Sequence, residues 1–259
     1  MSDLLDGSYT IVKRRPRAVI GAVAVVIVPV QVFSVWLRSA TTVSGGQSSP
    51  YDTMLTLGSG ASLGATLVVA AVASLSLFFV GGIISSFVAA WYAGQDITGG
   101  EALRRSIGRI GPFLVAWAVL LPLKIVSYAL CILPLAVTVT FFALTAPVIT
   151  LERVGPFAGM KRSAQLIARR FWPSLGIILL ASLIESVTQF SLAAIPMIAS
   201  ALLPSPADWI VLAVGEAGAA LVATTALVGV SVLLYIDLRA RTEGLDLELR
   251  AVDAFGTSG

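Results

Sequence analysis

The chain contains no histidine and a single cysteine, Cys131. Without histidine there is no Ser-His-Asp triad, and the commonest metal ligand is gone. One cysteine excludes a disulfide within the chain and a thiolate cluster for zinc. Charge is scarce as well. Asp, Glu, Lys and Arg make up 12% of residues, about half of the ~25% usual in a soluble domain. By contrast 57% are hydrophobic, and mean hydropathy is +0.95. No hydrophilic stretch is long enough to fold as a second domain, so residues 1–259 read as one membrane domain. A Gly-rich phosphate loop, a metal motif and a nucleophile elbow are also missing. Neither an enzyme nor a cofactor is therefore expected. The net charge of +3 and pI near 9.3 would suit nucleic acid, but the cations flank apolar runs, where they orient a chain in a membrane instead.

What the chain does have is long apolar runs. Ala18–Leu37 follows the basic group Lys13, Arg14, Arg15 and Arg17. It matches the ~20 residues a spanning helix needs and exceeds the apolar core of a signal peptide, so an uncleaved first span is expected. Arg38–Gly60, rich in Ser, Thr and Gly, reads as a loop. The next run, Leu63–Ala93, is too long for one upright span, which predicts tilt or a kink at Gly81-Gly82; Gly60 and Gly64 form a small-xxx-small pair. From Ile110 to Leu151 only Lys124 is charged. As one helix this run would measure about 60 Å, so it is expected to be two spans turning between Ser127 and Cys131. A fifth span is expected over Trp172–Ile195, a loop over Pro196–Asp208, and a sixth span over Trp209–Tyr235.

Between the fourth and fifth runs lies ERVGPFAGMKRSAQLIARRFWPSLG, Glu152–Gly176. Phe157, Met160, Ala164, Ile167 and Phe171 fall on one helical side, with Lys161, Arg162, Gln165 and Arg169 on the other. This predicts a helix lying in the membrane plane, apolar face down. Thr98-Gly-Gly-Glu101 reads as a capping box opening a second short basic helix with Arg104, Arg105 and Arg109.

The cations set the orientation. Four precede the first run, three lie in 94–110, five in 152–171 and three in the tail, which together are fifteen of the 17 Lys and Arg. Only Arg38 remains for the opposite loops, and Lys124 is intramembrane. Positively charged short loops stay in the cytoplasm, so six spans with both termini cytoplasmic are expected.

A repeat supports the same plan. Ser8, Ile11-Val12, Arg14-Arg15 and Gly21 superpose without a gap on Ser163, Leu166-Ile167, Arg169-Arg170 and Gly176, and Arg105-Ser106 echoes Arg162-Ser163. Each copy precedes two spans. The expected fold is all-α integral membrane: three hairpins, each preceded by a basic amphipathic interfacial helix, in units 1–95, 96–151 and 152–237, with a cytoplasmic tail 238–259.

Two stretches, TAPVITLERVGPFAGMKRSAQLIARRFWPSLGIILLA (Thr145–Ala181) and YIDLRARTEGLDLEL (Tyr235–Leu249), together with the N-terminal DLLDGSYTIVKRRPRAVIG, resemble actinobacterial membrane proteins described as glycerophosphoryl diester phosphodiesterase membrane-domain-like. The resemblance implies a six-span bacterial plasma-membrane protein. It does not bring the phosphodiesterase activity, whose catalytic domain uses histidines and metal-binding carboxylates that this chain lacks. The excess of arginine over lysine, with abundant Ala, Val and Gly, agrees with a GC-rich source.

The candidate sites are few. Arg104, Arg105, Lys161, Arg162, Arg169 and Arg170 either bind anionic lipid headgroups, at about 1 kcal/mol per cation, or only set topology. Inside the membrane, Lys124, Glu185 and Glu216 lie in the outer half, the first two about 22 Å from the cytoplasmic face. Gln189 is one turn from Glu185. A polar cluster is expected in which Lys124 pairs with Glu185 or Glu216; the alternative is that Lys124 snorkels to the outer surface. The tail segment Gly244–Arg250 fits a strand or a helix equally and is a candidate docking site for a cytoplasmic partner. Two functions follow: a non-enzymatic scaffold or accessory subunit organising anionic lipids or envelope proteins, or a transporter or channel for a small or amphiphilic solute. The sparse intramembrane charge favours the first.

Overall fold

The computed structural model describes residues 16–42, 60–202 and 207–243, which are helical apart from short connections. In chain order the helices are α1 (Pro16–Thr42), α2 (Gly60–Tyr92), α3 (Gly99–Ile107), α4 (Ile110–Leu130), α5 (Ile132–Phe142), α6 (Thr145–Leu151), α7 (Pro156–Ala168), α8 (Phe171–Ala201) and α9 (Ala207–Glu243). No strand occurs among the described residues. Six segments are long and apolar enough to cross a membrane: α1, α2, α4, α5 with α6, α8 and α9.

The fourth of these is broken. Pro147 has no N–H, and its ring excludes a helical carbonyl at Ala143. The helix therefore ends at Phe142, makes a tight turn through Ala143 and Leu144, and restarts at Thr145. Upstream, α4 and α5 meet at one extended residue, Cys131, at the end of the predicted turn window. Ser127 bridges the joint, its Oγ 2.9 Å from Thr138 Oγ1.

α9 is the axial helix. It packs along α8 and against α1 and α2, and Ala213, Ala217, Ala220 and Ala223 are all buried. Small side chains at this spacing let neighbouring backbones approach where lipid supplies no hydrophobic drive. Its buried Leu234, Tyr235 and Leu238 join Leu166 and Ile167 of α7 and Ile178 of α8 in one cluster. A second cluster joins α1, α2, α3 and α9 around Val23, Ile83 and Val232. A third joins α2, α4 and α6 around Phe113, Leu120 and Ile149.

Two expectations change. α8 continues through Pro196 to Ala201, where a loop was expected. That proline fits against Gly215 of α9, where an added Cβ would sit only 2.1 Å from Pro196 Cβ. α9 runs on past Tyr235 to Glu243, so the tail begins later than position 238. α2 is one helix through Gly81-Gly82. Gly82 gives room to Ser106 of α3 and Phe113 of α4, while Gly64 meets nothing within 4 Å among the described residues.

Candidate functional site

The described helices place two groups of polar side chains. The first lies at the end of the bundle that carries the basic helices α3 and α7. Both helices dock through a fully buried serine, Ser106 and Ser163. Ser106 packs at Gly82. Ser163 Oγ donates to the Phe141 carbonyl at 2.7 Å. That carbonyl lies in the last turn of α5, and the break before Thr145 leaves it without its helical partner. One hydroxyl of α7 thus satisfies a carbonyl that the break between α5 and α6 orphans. The Arg-Ser pairs that echo each other in sequence are therefore the points where each basic helix is fixed to a span.

α7 has three faces where two were predicted. Gly159, Ser163, Leu166 and Ile167 are buried against the bundle. Phe157 is 66% exposed on an apolar flank, while Lys161, Gln165 and Arg169 are exposed on the polar side. Of the predicted apolar side, Ile167 turns inward and Phe171 stacks on Phe141 with ring centroids 5.2 Å apart.

Arg162 sits between the buried and polar faces and makes an ion-pair cluster. Its Nε donates to Glu152 Oε1 at 3.2 Å, and Nη2 reaches Glu243 Oε1 and Oε2 at 2.5 and 2.6 Å. Tyr235 donates its hydroxyl to the same Glu152 oxygen at 2.9 Å. Arg239 donates to the Tyr235 oxygen at 3.3 Å and to Glu243 at 3.2 Å. Arg169 adds a bond to the Thr242 carbonyl at 3.2 Å. Two carboxylates and two guanidiniums are thus balanced around one phenol, and they lock α7 to the end of α9. Sequence reading missed this cluster, although Tyr235, Arg239 and Glu243 recur every fourth residue and so share one helical stripe.

Of the six headgroup candidates, Arg162 is thus engaged by two carboxylates. Arg104, Arg105, Lys161 and Arg170 are exposed and, among the described residues, make no ion pair. Arg169 is exposed apart from its one carbonyl contact.

The second group is intramembrane, and the expected cluster does not assemble. Glu216 is held by Arg38, whose Nη2 lies 2.6 Å from Glu216 Oε2. Arg38 closes the first span, and its guanidinium, whose Nε donates to the Ser34 carbonyl at 3.2 Å, extends Nη2 to the carboxylate. Glu185 and Gln189 are half-buried on α8, and Gln189 Oε1 has no hydrogen-bond partner among the described residues. Lys124 makes no ion pair among the described residues and lines a cavity of about 120 Å³ between α2, α4, α5, α6, α8 and α9. Ser74, Ser182 and Ser231 line it too. Among the described residues no group of three or more Cys, Asp or Glu is placed to hold a metal ion. The tail segment Gly244–Arg250 lies outside the described residues. No protein-family model, curated protein or solved structure matches this chain.

Proposed function

We propose that the chain is a non-enzymatic, multi-pass protein of a bacterial plasma membrane that organises anionic lipid, or a partner held by the same charges, at the cytoplasmic face. The observation that carries this reading is the division of labour among the cations of α3 and α7. Arg162 fixes α7 to the bundle through Glu152 and Glu243, while Arg104, Arg105, Lys161, Arg169 and Arg170 stay exposed. A fixed helix presenting free cations next to an apolar flank suits a headgroup layer better than open water. In this reading the spans form three hairpins, each after a basic interfacial helix, with both termini cytoplasmic as the fifteen flanking cations require. The resemblance to glycerophosphoryl diester phosphodiesterase membrane-domain-like proteins is part of the same proposal, and it rests on the sequence stretches alone.

The test has an orientation arm and a lipid arm. In intact cells an impermeant thiol reagent should label the native Cys131, and Ser48→Cys or Ser205→Cys in a Cys131→Ser background. Gly100→Cys and Thr257→Cys should stay unlabelled; the reverse pattern refutes the orientation. Protein extracted with its surrounding lipid should be enriched in anionic lipid. The quadruple variant Arg104→Gln, Arg105→Gln, Arg169→Gln, Arg170→Gln should lose most of that enrichment, at about fivefold in partition per cation. Unchanged enrichment would leave these residues with topology alone. The second reading, binding or passage of an amphiphilic solute, draws on the cavity at Lys124.

A further inference from the structure

A cation within a span is costly unless it finds a partner, water or a ligand, about 3 kcal/mol on insertion scales. Both intramembrane carboxylates expected to serve Lys124 are elsewhere: Glu216 is taken by Arg38, and Glu185 does not line the cavity that Lys124 faces. No acidic side chain lines that cavity among the described residues. The lining instead offers hydroxyls. Ser74 is committed, donating to the Ala71 carbonyl and accepting from Trp117 Nε1 at 2.9 Å each. Ser231 bonds only weakly to its own helix, at 3.2 Å to Leu227. Ser182 makes no hydrogen bond among the described residues. One ammonium and two available hydroxyls thus line a cavity in which no carboxylate balances the cation, and the rest of the lining, including Phe78, Leu120 and Ile178, is largely apolar.

An uncompensated cation beside hydroxyls that can donate favours an anion. The surroundings select what the anion is attached to. The lining residues lie within the spans, and the cavity is partly open at the surface of the bundle, so its mouth meets acyl chains. Its 120 Å³ is close to the ~150 Å³ of an apolar cavity that takes one benzene. It holds a small head and the first few methylenes, and the remainder of a chain must lie in the bilayer. We propose that Lys124, Ser182 and Ser231 bind the anionic head of a single-chain amphiphile, a carboxylate or a phosphate on one acyl chain. This site is separate from the headgroup surface at α3 and α7 and stands if that reading fails.

The protein in a non-ionic detergent is mixed with oleate, oleoyl lysophosphatidate or zwitterionic oleoyl lysophosphatidylcholine, and retained amphiphile is measured by native mass spectrometry. Wild type should retain a single molecule of at least one anionic amphiphile in preference to the zwitterion, and the preference between the two anions assigns the head. Lys124→Gln should weaken retention at least about tenfold, the loss of one hydrogen-bonded charge. Lys124→Arg should keep it. Ser182→Leu fills the cavity with the charge in place and should weaken retention equally, so the proposal remains testable if Lys124→Gln does not fold. Retention of neither anion above the zwitterion, or full retention by folded Lys124→Gln or Ser182→Leu, overturns the site.

Discussion

Replacing Arg162 with methionine keeps the aliphatic stem and removes two carboxylate contacts, one to Glu152 and one to Glu243. A hydrogen bond to a charged group contributes about 1.5–3 kcal/mol when sheltered. The side chains here are 19–27% exposed, so solvent screening lowers each contact to roughly 1 kcal/mol. Neither carboxylate is orphaned, because Glu152 keeps Tyr235 and Glu243 keeps Arg239. The loss should therefore approach the sum of the two contacts, about 2 kcal/mol, without the larger penalty of a stranded charge. At about 2–4 °C per kcal/mol for a chain of this size, the unfolding midpoint in detergent should fall by roughly 4–8 °C. Glu243→Gln alone should cost less, and the double variant should lose about 1 kcal/mol less than the sum, because both changes remove the same contact. Thermal scans of the four proteins at matched detergent and salt decide it. A fall below about 1 °C for Arg162→Met, or strictly additive losses, would refute the claim that this cluster fixes α7 to α9.

The remaining predictions concern packing and caps. Gly215→Ala places a methyl 2.1 Å from Pro196 Cβ and should cost about 1–3 kcal/mol as α8 and α9 shift apart, whereas Gly64→Ala, with nothing within 4 Å, should be neutral; equal midpoints for the two would contradict this packing. Arg153 ends α6 at φ +54°, a region that strains a side chain, so Arg153→Gly should raise the midpoint by an amount worth about 1 kcal/mol. Glu101 accepts the Thr98 backbone N–H, which holds its carboxyl below the usual carboxylate range. Its contribution to α3 is present above the ordinary carboxylate pKa and is lost as pH falls through the lowered value. Amide exchange in α3 should speed up over that acid window in wild type, and Glu101→Gln should abolish the pH dependence.

Much of this architecture was legible because a bilayer asks for simple patterns. Uninterrupted apolar length gave the spans, and Thr98 with Glu101 gave the cap of α3, which forms as a reciprocal capping box. The failures share a cause, namely that pairwise proximity across the bundle is not a property of any one segment. Pro196 looked like a loop residue because a proline inside a soluble helix is costly, yet in a span its partner Gly215 accepts the ring. Arg38 was counted as a loop cation, and nothing local revealed that Glu216, some 178 residues away, would accept it. Depth alone could not choose between Arg38 and Lys124 as the partner of Glu216. What chose was reach: Arg38 lies in the last turns of α1, and its guanidinium, held through Nε to the Ser34 carbonyl, extends Nη2 to Glu216. The break at Ala143 was readable in principle from Pro147, but the apolar run concealed it.

The character of α7 follows from that break. An amphipathic helix that merely floats at an interface needs only an apolar and a polar face, and sequence periodicity describes it fully. α7 gives a further face to the bundle, because the break between α5 and α6 leaves a carbonyl, that of Phe141, that some donor must satisfy. Ser163 supplies the donor, Gly159 beside it removes the side chain that would collide with Ile149 at 2.6 Å, and Arg162 next to it reaches the two carboxylates. Three neighbouring positions on one helix therefore convert a helical defect into an anchoring point. Anchored in this way, α7 cannot roll to bury its polar side, so Lys161, and Arg169 and Arg170 just beyond its end, stay exposed.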